Sequence, residues 1–328
     1  MQVLTQKDCH TDYLSLMQIG ILGFGSQAIA QAQNLRDSGL NVKIGLRNGS
    51  NSKTSAEAMG FEVLDLAHLA QECQMLVFLI PDECHQQAYQ EMLPYLCDGQ
   101  VLCFAHGFSV YTQEVVPPSF VDVILVAPKA AASAVRGEYV NGRGVVSLIG
   151  VAQDVSSRAY DYALEYACAL GSGKSGVLPS SFGDEYECDL FSEQAVICGG
   201  LEALICAGFE TLVEAGYPAE IAYFECLHEL KIVADLIYAQ GLSKMREHIS
   251  NTAEYGAMSR TEALRGLLKE SMKPILSDIR SGAFAERFLQ ERDNGFGKLK
   301  LERKALQDLE IEQVGSKIRA LMPWLGGK

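Results

Sequence analysis

The chain has 328 residues, of which 48% are apolar and 21% are charged. This length suits roughly two domains of about 150 residues, and the composition excludes a mostly disordered chain. Acidic residues outnumber basic residues by 41 to 27, for a net charge of −14, so the chain lacks the basic surface that nucleic-acid binding requires.

The first half of the sequence alternates strand-like and helix-like segments. Short apolar runs bounded by turn residues are typical of strands in a parallel sheet that is covered on both faces. Six runs are predicted as strands: 17–22, 42–46, 75–80, 101–104, 123–126 and 145–149. The pattern predicts an α/β fold, with a Rossmann-type parallel sheet domain over residues 1–181.

The second half has no strand-like runs. Apolar residues recur at helical spacing over 184–215, 218–240, 260–280, 283–292 and 308–321. We therefore predict an all-helical domain over residues 182–328. Its longest apolar stretch, 195–209, is about 15 residues and contains Glu202, which is too short and too polar for a membrane span.

Two further features favour a cytoplasmic protein without a membrane partner. The first twelve residues are polar and lack the pattern of a secretory signal. The ten cysteines include no C-x-x-C pair, and we expect them to be free thiols.

A glycine-rich turn follows the first predicted strand and opens a helix. In the pattern G-x-G-x-x-A, the glycines allow a tight turn and let a pyrophosphate approach the helix N-terminus. This context predicts a dinucleotide site, the alternative being a plain tight turn. The candidate contacts are the residues of the turn itself: Gly23, Phe24, Gly25, Ser26 and Gln27.

The segment after the second strand distinguishes between cofactors. An acidic residue there would hold a ribose hydroxyl and favour NAD. The sequence instead has Arg47, Ser50, Ser52 and Lys53, which suit a 2′-phosphate. We therefore favour NADPH, with a polar surface turn as the alternative.

Polar residues also follow the later strands, at the carboxyl edge where ligands bind in such sheets. His106 follows the fourth strand and Lys129 follows the fifth. Both are candidate catalytic residues near a nicotinamide, with a structural histidine as the alternative. Four residues after the third strand are candidate cofactor contacts: Asp82, Glu83, Cys84 and His85.

Two pairs of carboxylates have helical i, i+4 spacing. Asp189 and Glu193 form one pair, and Glu225 and Glu229 form the other. Like charges at this spacing repel unless a cation lies between them. Oxygen ligands of this kind favour hard divalent cations, above all Mg²⁺, although two exposed acidic faces would have the same spacing.

The order of these motifs resembles the short, class I ketol-acid reductoisomerases, and the resemblance covers nearly the whole chain. It rests on G-F-G-S-Q at 23–27, P-D-E at 81–83, A-H-G-F at 105–108, V-A-P-K at 126–129, D-L-F-S-E-Q-A-V at 189–196 and S-N-T-A-E-Y-G at 250–256. It implies a knotted helical domain and a homodimer, which is the minimum unit, with shared active sites. One chain would supply Asp189 and Glu193, and its partner would supply Glu225, Glu229 and Ser250.

The resemblance also implies the reaction. An alkyl group of 2-acetolactate or 2-aceto-2-hydroxybutyrate would migrate beside two Mg²⁺ ions bridged by Asp189, and NADPH would then reduce the product to a 2,3-dihydroxy acid of branched-chain amino-acid biosynthesis. Glu229 would transfer a proton and Ser250 would contact the substrate carboxylate. His106 would relay a proton or order metal-bound water.

Two alternatives remain beside this reading. The first is a paralogue that reduces a related 2-keto or ketol acid in a specialised pathway. The second is a non-catalytic regulatory dimer, against which the four retained carboxylates count.

Two segments depart from the usual pattern of the family. The run after V-A-P-K is Ala130-Ala131-Ala132-Ser133, where the family usually has Gly-Pro-Gly-His. Ala28-Ile29 stand where the family usually has Gly-His. We expect the lost glycine to strain the backbone and the lost proline to loosen the loop.

Overall fold

The computed structural model describes residues 2–10 and 12–325, and the chain divides into two compact units, 1–188 and 189–328. The division therefore falls later than the predicted boundary at 181. The reason lies in helix α8 (Phe182–Ser192), which begins on the first unit. Phe182 joins one of the cores of that unit, and the ring of Tyr186 packs against Phe108 and Tyr111.

The first unit is built on one eight-stranded sheet of order β3-β2-β1-β4-β5-β6-β7-β8. All pairings are parallel except that of β6 with β7, which is antiparallel. All six predicted runs overlap strands, while β3 and β8 were not predicted. The strands are β1 (Gln18–Leu22), β2 (Asn41–Gly45), β3 (Glu62–Leu64), β4 (Met75–Phe78), β5 (Val101–Phe104), β6 (Asp122–Pro128), β7 (Ser147–Gln153) and β8 (Val177–Pro179).

Helices cover both faces of this sheet, as its apolar strands require. In β4 the side chains of Met75 and Val77 enter one core, while those of Leu76 and Phe78 enter the other. This alternation follows from the two-residue period of a strand. The helices are α1 (Ser26–Asp37), α2 (Lys53–Ala58), α3 (Leu66–Glu72), α4 (His85–Met92), α5 (Phe108–Tyr111), α6 (Ala132–Val140) and α7 (Ala159–Ala169).

The second unit is helical throughout residues 189–325, as predicted. Two short π-helical turns, Glu193–Ile197 and Phe224–His228, interrupt its α-helices. Helix α14 was not predicted. The helices after α8 are α9 (Gly199–Glu214), α10 (Ala219–Tyr223), α11 (Leu230–Glu247), α12 (Asn251–Arg280), α13 (Ala283–Asp293), α14 (Gly297–Gln307) and α15 (Glu310–Ala320).

The second unit has a small core and many exposed apolar side chains. Its main cluster of buried residues is Phe209, Ala222, Tyr223, Ile311, Val314 and Ile318. Among the described residues, one helical stretch, Phe182–Glu214, is long and apolar enough to cross a membrane. Only 6% of its most apolar 18-residue segment is buried. This helical stretch is longer than the apolar run of 195–209, because polar residues interrupt the run without ending the helix.

Candidate functional site

The glycine-rich turn joins β1 directly to α1. Gly23 has a φ of +94°, which favours glycine, and a Cβ there would lie 2.7 Å from Cγ2 of Ile80. Gly25 caps α1 without any side-chain hydrogen bond, and the space beside it is open. The first turn of α1 therefore presents backbone N–H groups to an open surface, as a bound phosphate requires.

A cavity of about 370 Å³ lies beside this turn. Arg47, Ser50 and Ser52, which follow β2, line it together with Cys84. The structure thus brings together the glycine turn and the polar groups predicted to hold a 2′-phosphate. The guanidinium and the two hydroxyls that follow β2 fit a phosphate better than a ribose hydroxyl, and the carboxylate that also lines the cavity, Glu91, belongs to α4.

Gln27 has a different position from the rest of the turn. Its Nε2 donates a hydrogen bond to the carbonyl oxygen of Ala130 at 3.0 Å. The Gln27 side chain therefore joins the glycine-rich turn to the segment that follows β6. Four other predicted contacts are also outside the residues that line the cavity: Ser26, Asp82, Glu83 and His85.

The side chain of His85 is buried in the fold, with 2% of it exposed. Its Nε2 lies 3.0 Å from the carbonyl oxygen of Ile80, and its Nδ1 lies 2.7 Å from Oγ of Ser109. Because a carbonyl only accepts, Nε2 carries the proton and the Ser109 hydroxyl donates to Nδ1. Burial lowers the pKa of this imidazole. The side chain therefore anchors the start of α4 to α5, and the contact of His85 with a cofactor stays a prediction.

Asp82 and His106 meet at the carboxyl edge of the sheet. Oδ2 of Asp82 lies 2.7 Å from Nδ1 of His106. Burial raises the pKa of Asp82, but the hydrogen bond and the charge of His106 outweigh it and hold that pKa below its ordinary value. The His106 ring also stacks with Phe108 and Tyr186 at centroid distances of 6.1 and 6.4 Å.

Lys129 is held by a carboxylate that the sequence analysis did not single out. Its Nζ donates to Oε1 of Glu185 at 2.6 Å, while Oε2 of Glu185 accepts the backbone N–H of Gly107 at 2.7 Å. Glu185 is three residues after Phe182 on the buried face of α8, and that spacing was the available signal. Because Asp184 and Glu187 beside it are also acidic, the sequence alone does not distinguish Glu185 from an exposed carboxylate.

Gly107 brings α8 close to the end of β5. A Cβ at this position would lie 2.3 Å from the carbonyl oxygen of Phe182 and 3.2 Å from Cβ of Tyr186. Only glycine allows this approach, since real side chains do not tolerate a contact that short. The first turn of α8 therefore lies directly against the loop that carries His106.

The segment after Lys129 is unstrained. Ala131 caps α6 with φ −60° and ψ 150°. Among the described residues, the non-glycine residues with positive φ are Gln113, Ser157 and Phe296, all outside this segment. The expectation that alanine strains the segment was therefore wrong, because its backbone adopts ordinary extended and helical conformations.

Each carboxylate pair lies at a π-helical turn. Glu193 opens the turn Glu193–Ile197, and Glu225 lies in the turn Phe224–His228, immediately before Glu229. Turns of this kind are frequent at functional sites. Within the described part of one chain, no three or more His, Cys, Asp or Glu residues are grouped so as to hold a metal ion. Asp189, the remaining carboxylate of the two pairs, lies just before the first of these turns and is half-buried.

Ser250 caps helix α12. Its Oγ accepts the backbone N–H of Ala253 at 3.2 Å. Its hydroxyl proton remains able to donate to another group, because the cap uses only a lone pair of the oxygen.

Both units match known families. A model of the NADPH-binding domain of acetohydroxy acid isomeroreductases matches residues 13–176, and a model of the C-terminal domain of ketol-acid reductoisomerases matches residues 182–324. A ketol-acid reductoisomerase (NADP(+)) of Helicobacter pylori (strain Shi470) is 49% identical over 322 residues, 98% of each chain. That of Helicobacter acinonychis (strain Sheeba) is 48% identical over 321 residues, 97% of each chain. The structure of an NADH-preferring ketol-acid reductoisomerase from an uncultured archean is 41% identical, with a TM-score of 0.94 over 98% of this chain and 99% of that one.

Proposed function

The chain belongs to the ketol-acid reductoisomerase family, and from this premise we propose that it acts on 2-acetolactate or 2-aceto-2-hydroxybutyrate with NADPH and Mg²⁺. It is an NADP-dependent oxidoreductase and isomerase of branched-chain amino-acid biosynthesis, and its substrate is a small ketol acid. The observation that carries the finer proposal is the cavity beside the glycine turn, which is lined by the groups that we expect to select the cofactor: Arg47, Ser50 and Ser52.

The choice of NADPH rests on three side chains. Arg47 would pair with the 2′-phosphate, and the hydroxyls of Ser50 and Ser52 would donate to its oxygens. Gly23 and Gly25 leave the backbone of the turn open to the pyrophosphate. When bound, the cofactor supplies the hydride for the reduction.

His106 and Lys129 would act at the carboxyl edge of the sheet. The Lys129 ammonium, fixed by Glu185, would place a positive charge where oxygen atoms of the substrate gain negative charge, and would stabilise them. His106 would hold or relay a proton at Nε2, because its Nδ1 is engaged by Asp82.

Four carboxylates would hold two magnesium ions: Asp189, Glu193, Glu225 and Glu229. Their all-oxygen donor set suits this metal and contains no ligand typical of zinc. When bound, the metals supply Lewis-acid polarisation of the ketone. Glu229 would transfer a proton, and the Ser250 hydroxyl would donate to the substrate carboxylate.

We place these carboxylates in a dimer, where two chains each contribute one pair to a site; further assembly of dimers stays open. The second unit supports this with exposed apolar side chains that a partner would cover: Leu201, Leu204, Tyr255, Leu264, Leu267 and Leu301.

A bilayer suits the long apolar stretch Phe182–Glu214 less well than a protein partner does, because Glu202, Glu210 and Glu214 lie along it. With ten free cysteines, we also place the protein in the cytoplasm.

A spectrophotometric assay tests the function. We expect loss of NADPH absorbance that requires both 2-acetolactate and Mg²⁺. Turnover of a 3-hydroxy-2-keto acid without turnover of acetolactate would instead indicate the specialised paralogue. Failure to bind NADPH by calorimetry would leave the regulatory dimer.

A further inference from the structure

We propose that Asp82 is the positioning residue of His106: it fixes the imidazole in the tautomer with the proton on Nδ1 and leaves Nε2 to accept a proton. The inference rests on the proposed role of His106 and adds a residue to it. It also gives the Asp82 side chain a task other than the cofactor contact predicted from the sequence.

The fold brings the two side chains together. Strands β4 and β5 are paired in parallel, with Phe78 opposite Phe104, so the segments that follow them leave the sheet side by side. Asp82 opens the short helical turn after β4, and His106 follows β5. The distance of 2.7 Å between Oδ2 and Nδ1 is that of a charge-assisted hydrogen bond.

The proton must lie on Nδ1 because an ionised carboxylate can only accept. Burial raises the pKa of Asp82, but the hydrogen bond and the charge of His106 together hold that pKa below its ordinary value, so Asp82 is ionised at neutral pH. A neutral His106 then carries its only proton on Nδ1, and its Nε2 keeps a lone pair.

His85 does not compete for this carboxylate. Its Nδ1 is 3.8 Å from Oδ1 of Asp82, beyond hydrogen-bond distance. That nitrogen already accepts from Ser109, and Nε2 already donates to the Ile80 carbonyl. His85 therefore offers Asp82 no proton.

Aromatic rings fix the plane of the His106 imidazole but not which edge faces Asp82. Phe108 and Tyr186 stack with it at interplanar angles of 29° and 27°. A half-turn of the ring about the Cβ–Cγ bond would keep this stacking but would put Cδ2 in the place of Nδ1, so that no nitrogen would face Asp82. The hydrogen bond to Asp82 is what selects one orientation, as a buried carboxylate orients the histidine of a catalytic triad.

Nitrogen-15 NMR of histidine-labelled protein tests the tautomer directly. The six histidines give separate signals, and the one that disappears in His106→Asn belongs to His106. We expect a protonated Nδ1 and an unprotonated Nε2 for this residue at neutral pH. A neutral ring protonated on Nε2 would overturn the inference, and this measurement needs no change at Asp82.

The variant Asp82→Asn tests the consequence. We expect kcat to fall by about 100-fold, as when general acid–base catalysis is impaired, with the KM for NADPH unchanged. The matched control is Asp65→Asn, because Asp65 accepts from Nδ1 of His68 at 2.8 Å on exposed helix α3, and asparagine keeps its role as N-cap. We expect this control to keep wild-type kcat.

The double variant separates the two roles of Asp82. If Asp82 acts through His106, then Asp82→Asn costs no further activity in a His106→Asn background. A further loss there, together with a raised KM for NADPH, would show that Asp82 contacts the cofactor and overturn the inference alone. Full activity of His106→Asn would instead overturn the proposed role of His106, and the inference with it.

Discussion

Glu185 accepts a hydrogen bond from Nζ of Lys129 at 2.6 Å while only 1% of its own side chain is exposed. Its second oxygen accepts the backbone N–H of Gly107. A carboxylate so deeply buried is stable only when charged and hydrogen-bonding partners compensate its desolvation. One residue of α8 therefore connects the ends of β5 and β6, and it fixes the ammonium of the candidate catalytic lysine.

Replacement of this carboxylate by an amide should weaken both contacts. We expect Glu185→Gln to lower the free energy of unfolding by about 2 kcal/mol, because Glu185 is buried while the Lys129 side chain is partly exposed. We also expect the variant to slow turnover. Denaturant unfolding and the NADPH assay measure the two effects. The matched control is Glu62→Gln, because Glu62 pairs with Lys43 on the surface, where about 0.5 kcal/mol is expected. Equal losses for the two variants would contradict the structural role of Glu185.

Reversal of the charge at Arg47 should affect one cofactor more than the other. We expect Arg47→Asp to weaken NADPH binding by about 10- to 100-fold, the size of a lost charged hydrogen bond, and to weaken NADH binding much less. Calorimetry with each cofactor measures this. Arg143→Asp is the control, because Arg143 pairs with Glu138 at an exposed position and is absent from the cavity lining. Equal losses of both cofactors in Arg47→Asp would refute the 2′-phosphate assignment.

The segment before α6 should accept a proline at position 131. Ala131 already has φ −60° and ψ 150°, a conformation proline adopts without strain. We expect Ala131→Pro to raise the free energy of unfolding by about 0.5 kcal/mol, by restricting the unfolded chain. Ala134→Pro is the contrasting variant, because the N–H of Ala134 donates to the Ala131 carbonyl. Destabilisation by Ala131→Pro would contradict the geometry described.

Stability should depend on pH through His85. Burial lowers the pKa of this imidazole in the folded protein, so below about pH 6.5 the unfolded chain binds more protons than the folded chain does. The contribution of His85 is therefore complete above pH 6.5 and is lost as the pH falls toward the lowered value, by at most about 1.4 kcal/mol per pH unit.

Unfolding of His85→Gln at pH 7.5 and 5.5 tests this expectation. The variant should lose less stability between the two values than the wild type loses. An unchanged slope in His85→Gln would contradict a buried neutral imidazole.

Mixed dimers should reveal whether two chains share a site. Chains with Asp189→Asn and chains with Glu225→Gln should each be inactive alone. Refolded together, half of the dimers would be mixed and would contain one intact site, so about a quarter of wild-type activity should return. No recovery, despite mixed dimers seen by native mass spectrometry, would contradict the shared site.

Much of the fold was predictable because it depends on patterns within one segment. The segments that form β4 and β5 are buried on both faces, and their uninterrupted apolar sequences, MLVF and VLCF, predict this burial directly. Strands β3 and β8 were not predictable in this way. Each has three residues, and Glu62 in the first and Pro179 in the second are unusual in a strand.

The candidate site was predictable in its chemistry but not in its contacts. Arg47 and the carboxylate pairs were identified by residue type and spacing. The separate tasks of Asp82 and His85 depend on which atoms lie within 3 Å of them in the folded protein, and sequence position alone carries no such information. The π-helical turns escape prediction for a related reason, because one additional residue in a turn leaves the apolar period almost unchanged.

The close approach at Gly107 limits how this protein can be redesigned. A library that varies residues around His106 to accept bulkier substrates would naturally include position 107, yet any side chain there meets the Phe182 carbonyl. Such variants would move the first turn of α8, and Glu185 with it, away from Lys129. Position 107 should therefore stay glycine in any engineered variant, and diversity is better placed at Cys84 or Gln87, whose side chains line the cofactor cavity.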